Sequence, residues 1–317
     1  MSPFVACVLL AAAPQAPPVF RAEVGLVRVE ASVTVKGAPL RGLRAADFEV
    51  RDNGRVQRLE PLLEEESPVD AELVLDLSGS VRGAKLEELK SAAWGFLAGL
   101  RGDEQAALLA FREDVSLLEP FTPDRARVQQ QLARVSSRGS TALCDAVYAA
   151  LRLREPGPRR AAVVVFSDGV DNMSWLTATE VVEAASRSDA IVYGVAAYGR
   201  GDPKEPFLQD VVRATGGRLF EAKSERDLRA RFLDVLRDIR SRYVLSYVPL
   251  SPEKEGWHAL EVKLKGARGD VLARPGYWRD ATAPAEGTAG SFSTNVVPSP
   301  GADSTVIVPP WRWVTMK

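Results

Sequence analysis

Residues 72–80 read ELVLDLSGS, an apolar segment that runs directly into a polar turn. Residues 72–77 are mostly apolar, which is typical of a strand buried on both faces of a parallel sheet. Residues 84–100 follow with apolar side chains at helical spacing. Ligands bind at the carboxyl ends of strands in open parallel sheets. The turn at residues 76–80 is therefore the first place to expect a functional site.

The chain after this unit continues as alternating strands and helices. Short apolar segments predict strands at residues 105–112, 160–167, 190–197 and 218–222. Amphipathic segments predict helices at residues 124–135, 141–153, 177–188, 206–215 and 225–242. This alternation indicates right-handed crossovers and a doubly wound, mostly parallel sheet covered on both faces. We expect this α/β domain to occupy residues 68–242.

Both ends of the chain have a β pattern. Strands are predicted at residues 22–36, 47–51, 56–63, 243–249, 257–265 and 271–278. Asn53 and Gly54 supply a tight turn because both residues tolerate positive φ. The modules at residues 22–67 and 243–279 are each too small for a good core, so we expect them to pack together as one β-sandwich. The α/β domain would be inserted into this sandwich or flanked by it.

The residues before and after these modules predict a cleaved signal peptide and a disordered tail. Residues 1–16 contain an apolar run from 4 to 13 and then small residues, as in a secretory signal, although no Lys or Arg precedes the run. Export to the periplasm or the cell exterior is the prediction, and a misannotated start in a cytoplasmic protein is the alternative. Cleavage would remove Cys7 and leave Cys144 as the single thiol. Residues 280–317 are rich in Ala, Gly, Ser, Thr and Pro, which predicts a disordered tail.

The charge balance argues against two classes of partner. The chain has 41 basic and 42 acidic residues without a long run of one sign. We therefore expect neither nucleic-acid binding nor a polybasic membrane contact. The apolar run near the start is too short to span a bilayer, so no integral membrane span is predicted.

Five oxygen-bearing side chains are predicted to meet at the carboxyl edge of the sheet. Asp76, Ser78 and Ser80 alternate in the turn, Thr141 opens a helix, and Asp168 follows another buried strand. Hard oxygen donors favour Mg²⁺, with Mn²⁺ and Ca²⁺ as alternatives. One His and two Cys cannot form a zinc cluster. The simpler interpretation of an isolated D-x-S-x-S is that Asp and Ser cap the following helix.

The order D-x-S-x-S, Thr, Asp-Gly resembles the metal-ion-dependent adhesion site of the von Willebrand factor type A family, including integrin inserted domains. The resemblance implies direct metal binding by the three hydroxyls, with Asp76 and Asp168 acting mostly through water. It also implies a partner protein or peptide that supplies an Asp or Glu carboxylate as the sixth ligand. Asp145 and Asp171, close in sequence, are expected to contact the metal ligands or to be solvated, and not to bind the metal directly.

The resemblance extends to bacterial proteins in which β-segments flank the metal domain. It rests there on segments such as Asp52-Asn53-Gly54 and on residues 274–278, RPGYW. In integrin relatives the final helix moves with metal coordination, and residues 225–242 correspond to that helix. This correspondence suggests the hypothesis that partner binding is linked to the orientation of the sandwich.

These patterns predict a metal-dependent adhesion module and not an enzyme. The chain has no G-x-x-x-x-G-K-[ST] pattern and no G-x-G-x-x-G at a strand end. A serine hydrolase would have to use His258, the only histidine, which we expect to be an exposed or edge-strand side chain. The alternative function is a structural or assembly module of the cell envelope in which the metal only stabilises the fold.

Overall fold

The computed structural model describes residues 25–61, 67–154, 157, 159–197, 206–250, 255–266 and 268–279. Within these residues the strands are β1 (Val27–Val35), β2 (Ala38–Pro39), β3 (Phe48–Asp52), β4 (Arg55–Val56), β5 (Val69–Asp76), β6 (Gln105–Phe111), β7 (Val115–Thr122), β8 (Arg160–Ser167), β9 (Ile191–Ala196), β10 (Leu219–Glu221), β11 (Tyr243–Tyr247), β12 (Gly256–Leu264), β13 (Asp270–Leu272) and β14 (Gly276–Arg279). The α-helices are α1 (Ala84–Ala98), α2 (Arg125–Arg134), α3 (Leu143–Leu153), α4 (Ala178–Arg187), α5 (Pro206–Thr215) and α6 (Leu228–Ser241).

The α/β domain is built on a six-stranded sheet in the order β10-β9-β8-β5-β6-β7. Every neighbouring pair is parallel except β6 and β7. Strand β5 is buried along its whole length, as its apolar sequence predicts. Helices α1, α2 and α6 contribute to the core on one face of the sheet, and α3, α4 and α5 contribute to the core on the other. The predicted doubly wound α/β fold is confirmed.

Strands from both ends of the chain form the β-sandwich. In one sheet β1 pairs antiparallel with β11 and β13, and in the other β12 pairs antiparallel with β3 and β14. Val29, Phe48 and Leu245 lie in the shared core and are almost fully buried. The sandwich part of the predicted fold class is therefore confirmed, while the residue bounds given to each domain stay a prediction.

Three strand predictions were wrong or incomplete. Of the strand expected at residues 56–63, the described part up to residue 61 contains only Arg55–Val56, after which Leu59 forms a bridge to Tyr247 of the other sheet. The strand expected at residues 271–278 is two strands, β13 and β14, which belong to different sheets. Pro275, which has no N–H to donate, lies at this break. Strand β7 was not predicted at all. The predicted signal peptide with Cys7 and the predicted disordered tail lie outside the described residues.

A buried polar cluster joins the α/β domain to the sandwich. Asp238 of α6 accepts hydrogen bonds from Ser32 Oγ of β1 at 2.8 Å, Tyr193 Oη at 3.1 Å and Arg242 Nε at 2.9 Å. Burial is the largest single effect and disfavours ionisation of Asp238. The charges of Arg242 and Arg218 and the hydrogen bonds from Ser32 and Arg242 together outweigh it, so the pKa of Asp238 lies below its usual value. The cluster therefore holds a buried ion pair at the domain junction.

Arg160, the first residue of β8, makes a second contact between the α/β domain and the sandwich. The guanidinium of Arg160 donates to both carboxylate oxygens of Glu30 on β1, at 2.9 and 2.6 Å, and to the carbonyl of Ile239 on α6 at 3.0 Å. Arg274 of the sandwich donates to the carbonyls of Ser186 and Ser188, just before β9. These contacts lie where strands of the parallel sheet begin. The sandwich is therefore attached to the amino edge of the sheet, and the carboxyl edge faces away from it.

Glu72 on β5 is a second buried acid. It is 2% exposed and its Oε1 has no hydrogen-bond partner among the described residues. Burial raises the pKa of Glu72 well above its usual value, and the charge of Arg154 only partly opposes this effect. The surroundings therefore favour the neutral form of Glu72, because a charge on Oε1 would have no hydrogen-bond partner there.

We predict that Asp238→Ala lowers the free energy of unfolding by about 3–5 kcal/mol, because Arg242 would remain buried without its counter-ion. Asp234→Ala on the same helix is the matched control. Asp234 pairs with Arg237 and Arg231 on the surface of the helix, and these arginine side chains are 60% and 36% exposed, so its loss should cost about 1 kcal/mol or less. Urea denaturation measures both values. Equal small losses in the two variants would show that the junction is not held by this ion pair.

We predict that Glu72→Gln stabilises the fold increasingly as pH rises. The folded pKa of Glu72 is raised, so its favourable contribution is complete below the unfolded pKa of about 4.3 and is lost as pH rises toward the folded pKa. The advantage of the variant over the unmodified chain should grow by up to about 1.4 kcal/mol per pH unit in this window. Urea denaturation at several pH values measures it, with Glu87→Gln, at an exposed site, as control. A pH-independent difference would contradict the prediction.

Candidate metal site

Asp76 ends the central strand β5 and is fully buried. Its Oδ1 accepts a hydrogen bond from the backbone N–H of Ser78 at 2.9 Å, and its Oδ2 accepts one from Ser167 Oγ at 2.8 Å. Ser167 is the last residue of the neighbouring strand β8. The Asp76 carboxylate therefore ties the turn after β5 to the end of β8.

Two serine hydroxyls continue this arrangement. Ser78 Oγ and Ser80 Oγ lie 3.0 Å apart, and Ser80 Oγ donates a hydrogen bond to Asp168 Oδ1 at 2.7 Å. The turn keeps both hydroxyls on the same side, as the alternation in D-x-S-x-S predicts. Asp76, Ser78, Ser80 and Asp168 thus form one connected group of oxygen atoms at the carboxyl edge.

Thr141 joins this group through its loop. Its backbone N–H donates to Asn172 Oδ1 at 2.9 Å, and its carbonyl accepts from Asn172 N at 3.0 Å. A Cβ atom built on Gly169 would lie 3.8 Å from Thr141 Oγ1, so the Thr141 hydroxyl lies beside the Asp168–Gly169 peptide. The loop before Thr141 is also held against the serine turn, because Gly79 N donates to Gly139 O at 2.9 Å. The three loops therefore bring all five predicted residues to one edge.

Two carboxylates and one ammonium group set the charge of the site. Burial raises the pKa of Asp76 to about 6, hydrogen bonds from Ser78 oppose the rise, and the negative charge of Asp168 adds to it. Lys85 Nζ lies 2.6 Å from Asp168 Oδ2 and supplies one positive charge to the site. Sequence reasoning missed this lysine, although its place in the first turn of α1, directly after the serine turn, was a usable signal.

The donor set fits a hard divalent ion. Mg–O distances of about 2.0–2.1 Å place neighbouring octahedral ligands about 2.9 Å apart, and the two serine hydroxyls are 3.0 Å apart. No group of three or more His, Cys, Asp or Glu side chains in the described part of the chain is placed to hold a metal. A metal at this edge would therefore depend on the hydroxyl groups as well as on the two carboxylates.

Asp145 and Asp171 hold the neighbouring loop. Asp145 accepts hydrogen bonds from the backbone N–H groups of Trp175 and Leu176, both at 3.0 Å. Asp171 Oδ2 accepts from Cys144 N, at the start of α3, at 2.7 Å. The Asp145 carboxylate thus binds the backbone of residues 175 and 176, and the Asp171 carboxylate binds the backbone at the start of α3.

The expectation that His258 is exposed or on an edge strand was wrong. His258 is 2% exposed and lies on β12, which has a neighbour on both sides. Its Nδ1 is 2.8 Å from Asp52 Oδ1, and Asp52 Oδ2 accepts hydrogen bonds from Tyr247 and Tyr277. His258 and Leu260 are two residues apart on β12, so their side chains point to the same face of the sheet. Leu260 packs against the sandwich core, and this pattern could have predicted the burial of His258. It therefore belongs to the sandwich interior and not to the group around Ser78.

The comparisons with known proteins agree with this fold. A family model described as the von Willebrand factor type A domain matches residues 73–170. A von Willebrand factor type A structure from Catenulispora acidiphila aligns with a TM-score of 0.50 and 12% identity, covering 82% of this chain and 76% of that one. No curated protein matches the chain.

Two further solved structures are more distant in fold. The von Willebrand factor domain of the type V pilus tip protein Mfa5 from Porphyromonas gingivalis aligns with a TM-score of 0.46 and 13% identity, covering 56% of this chain and 96% of that one. Proximal thread matrix protein 1 from the mussel byssus aligns with a TM-score of 0.49 and 16% identity, covering 56% of this chain and 47% of that one. That structure has zinc in its metal-ion-dependent adhesion site (MIDAS) motif. The chain thus spans about half the length of the mussel protein.

Structural likeness at these identities shows the fold alone, whereas the family model is a match in sequence. It includes Asp76, Ser78, Ser80, Thr141 and Asp168 and most of the strands that position them. The chain therefore carries a von Willebrand factor type A domain.

Proposed function

We propose that the chain is a non-enzymatic module that binds a partner protein through a divalent metal. The observation that carries this proposal is the convergence of Asp76, Ser78, Ser80, Thr141 and Asp168 from three loops at one sheet edge. Mg²⁺ is the proposed ion, with Mn²⁺ and Ca²⁺ as alternatives, because the donors are hard oxygen atoms.

The residues around the ion have different roles in this proposal. The neutral hydroxyls of Ser78, Ser80 and Thr141 would hold the ion directly, while Asp76 and Asp168 would act mostly through water. Few negative charges would then touch the ion, and the bound metal supplies a Lewis-acidic position for a carboxylate from the partner. Ser167 and the backbone of Ser78 hold Asp76 in place, so the turn is organised before any ligand arrives.

The domain arrangement supports a binding role. The sandwich contacts residues where strands of the sheet begin, such as Arg160, and β8 is eight residues long. At about 3.3 Å per residue, the candidate site lies about 25 Å away from that contact. The site is therefore presented at the far end of the molecule from the attached domain.

Location in the bacterial envelope or outside the cell is part of the same proposal. No helix in the described part of the chain is long and apolar enough to cross a membrane.

The alternative function remains a structural or assembly module in which the metal only stabilises the fold. The two differ in whether a partner binds only when metal is present.

We predict that the chain binds Mg²⁺ and that Ser80→Ala weakens this binding by about tenfold or more, because it removes one hydroxyl and a hydrogen bond to Asp168. Ser136→Ala, an exposed serine of a neighbouring loop, is the control and should bind as the unmodified chain does. Isothermal titration calorimetry measures both. Unchanged Mg²⁺ affinity in Ser80→Ala would show that these residues do not form the Mg²⁺ site. Partner binding that survives EDTA would favour the structural alternative.

We predict that Lys85→Ala strengthens Mg²⁺ binding by about three- to tenfold. The Lys85 ammonium neutralises Asp168 without metal, and this partly exposed pair is worth about 0.7–1.4 kcal/mol that a metal ion must displace. Lys90→Ala on the same helix is the control, because Lys90 pairs with the exposed Glu87. Isothermal titration calorimetry measures the Mg²⁺ affinity of both variants. Weaker or equal Mg²⁺ binding in Lys85→Ala would show that the lysine does not compete with the ion.

A further inference from the structure

Large apolar side chains are exposed directly beside the candidate metal site. Val170 is 37% exposed, Met173 is 51% exposed and Trp175 is 72% exposed, and all three follow Asp168 within seven residues. Exposed apolar groups of this size cost free energy in water and, when grouped, mark interaction sites. We call the segment 169–176 the apolar loop.

The apolar loop is held firmly by its backbone. The buried carboxylate of Asp145 binds the N–H groups of Trp175 and Leu176, both at 3.0 Å. Asp171 Oδ1 accepts from Ser174 N at 3.1 Å, and Asn172 exchanges two hydrogen bonds with the backbone of Thr141. The backbone that carries Trp175 is therefore held in place. A Trp side chain has only two χ angles, so it loses little conformational entropy when it binds.

The apolar loop is continuous with the candidate metal site. Asn172 holds Thr141, and Gly169 lies against the Thr141 hydroxyl. On the other side the exposed Arg82 places Nη2 2.7 Å from a Cβ built on Gly79, while the charge of Arg138 in the next loop is offset by the Glu113 carboxylate, which lies against Gly139. The surroundings of the site thus offer apolar contact on one side and the positive charge of Arg82 on the other.

Resting on the proposed function, we propose that the partner is a protein segment in which a large apolar side chain stands beside the metal-binding Asp or Glu. The carboxylate would bind at the ion, helped by Arg82, and the apolar side chain would pack on Trp175 and Met173. Trp, Met and Arg are enriched in the central parts of protein interfaces. The structure therefore assigns the partner a two-part signature, a carboxylate with an apolar neighbour.

The test is a random heptapeptide phage library selected on the full chain in Mg²⁺. We expect enrichment of Asp or Glu next to Trp, Phe, Leu or Met. The best synthetic peptide should bind Trp175→Ser at least tenfold more weakly than the unmodified chain, and Met173→Ser should also bind it more weakly. Trp94→Ser is the control: Trp94 is 37% exposed on α1, about 15 Å along the helix from Ala84 at 1.5 Å per residue, and should bind normally.

The outcomes separate this inference from the proposed function. Peptides that need Mg²⁺ and Thr141, show no apolar preference and bind Trp175→Ser normally would overturn the inference and leave the proposed function intact. Selection that yields no Mg²⁺-dependent carboxylate peptide would overturn the proposed function itself. Vesicles of phosphatidylcholine and phosphatidylglycerol are the final arm. Sedimentation of the chain with them that is lost in Trp175→Ser would assign the apolar loop to a membrane and overturn the inference.

Discussion

The buried carboxylate of Asp76 is the constraint on which the candidate site depends. Removing a carboxylate from water is costly unless hydrogen bonds compensate, and here the compensating donors come from two different strands' ends. One donor, the N–H of Ser78, fixes the turn after β5. The other, Ser167 Oγ, fixes the end of β8 directly before Asp168. The same bonds that make the burial of Asp76 tolerable therefore place the remaining oxygen atoms next to each other.

The parallel sheet gives the molecule two different ends, because all carboxyl ends of its parallel strands lie at one edge. Because β5 and β8 run in the same direction, their carboxyl ends create the site and their amino ends lie at the opposite edge. Contacts with the sandwich use that opposite edge, through Arg160 and the residues before β9. The two domains therefore do not compete for the same surface. One edge joins the domains, and the other is left for metal and partner.

Much of the fold and the site followed from local sequence, and the exceptions share a physical cause. Buried parallel strands and the D-x-S-x-S turn are local patterns, and strand ends then bring Asp168 to the turn by topology alone. Strand β7 was missed because it is an edge strand returning through a short turn at Glu113 and Asp114. The pair between Lys85 and Asp168 joins residues 83 apart, and Pro275 sends two halves of one apparent strand to different sheets. Such features depend on how elements pack, which composition and periodicity do not record.

The junction also bears on whether the final helix could move with metal binding. The carboxyl-terminal half of α6 carries Asp238, which binds Ser32 of the sandwich, while the Ile239 carbonyl accepts from Arg160 of β8. Sliding α6 past both would break the hydrogen bonds that Asp238 accepts from Ser32 and Tyr193 and the bond from Arg160 to the Ile239 carbonyl, while Arg242, directly after α6, would move with Asp238. Hydrogen bonds to charged groups are worth about 1.5–3 kcal/mol each, so losing three together costs about 4 kcal/mol or more. Coupling between two ligand sites typically supplies about 1–3 kcal/mol. A motion that breaks this junction is therefore too costly for ligand binding to drive, and any coupling would have to carry α6 and the sandwich together as one body.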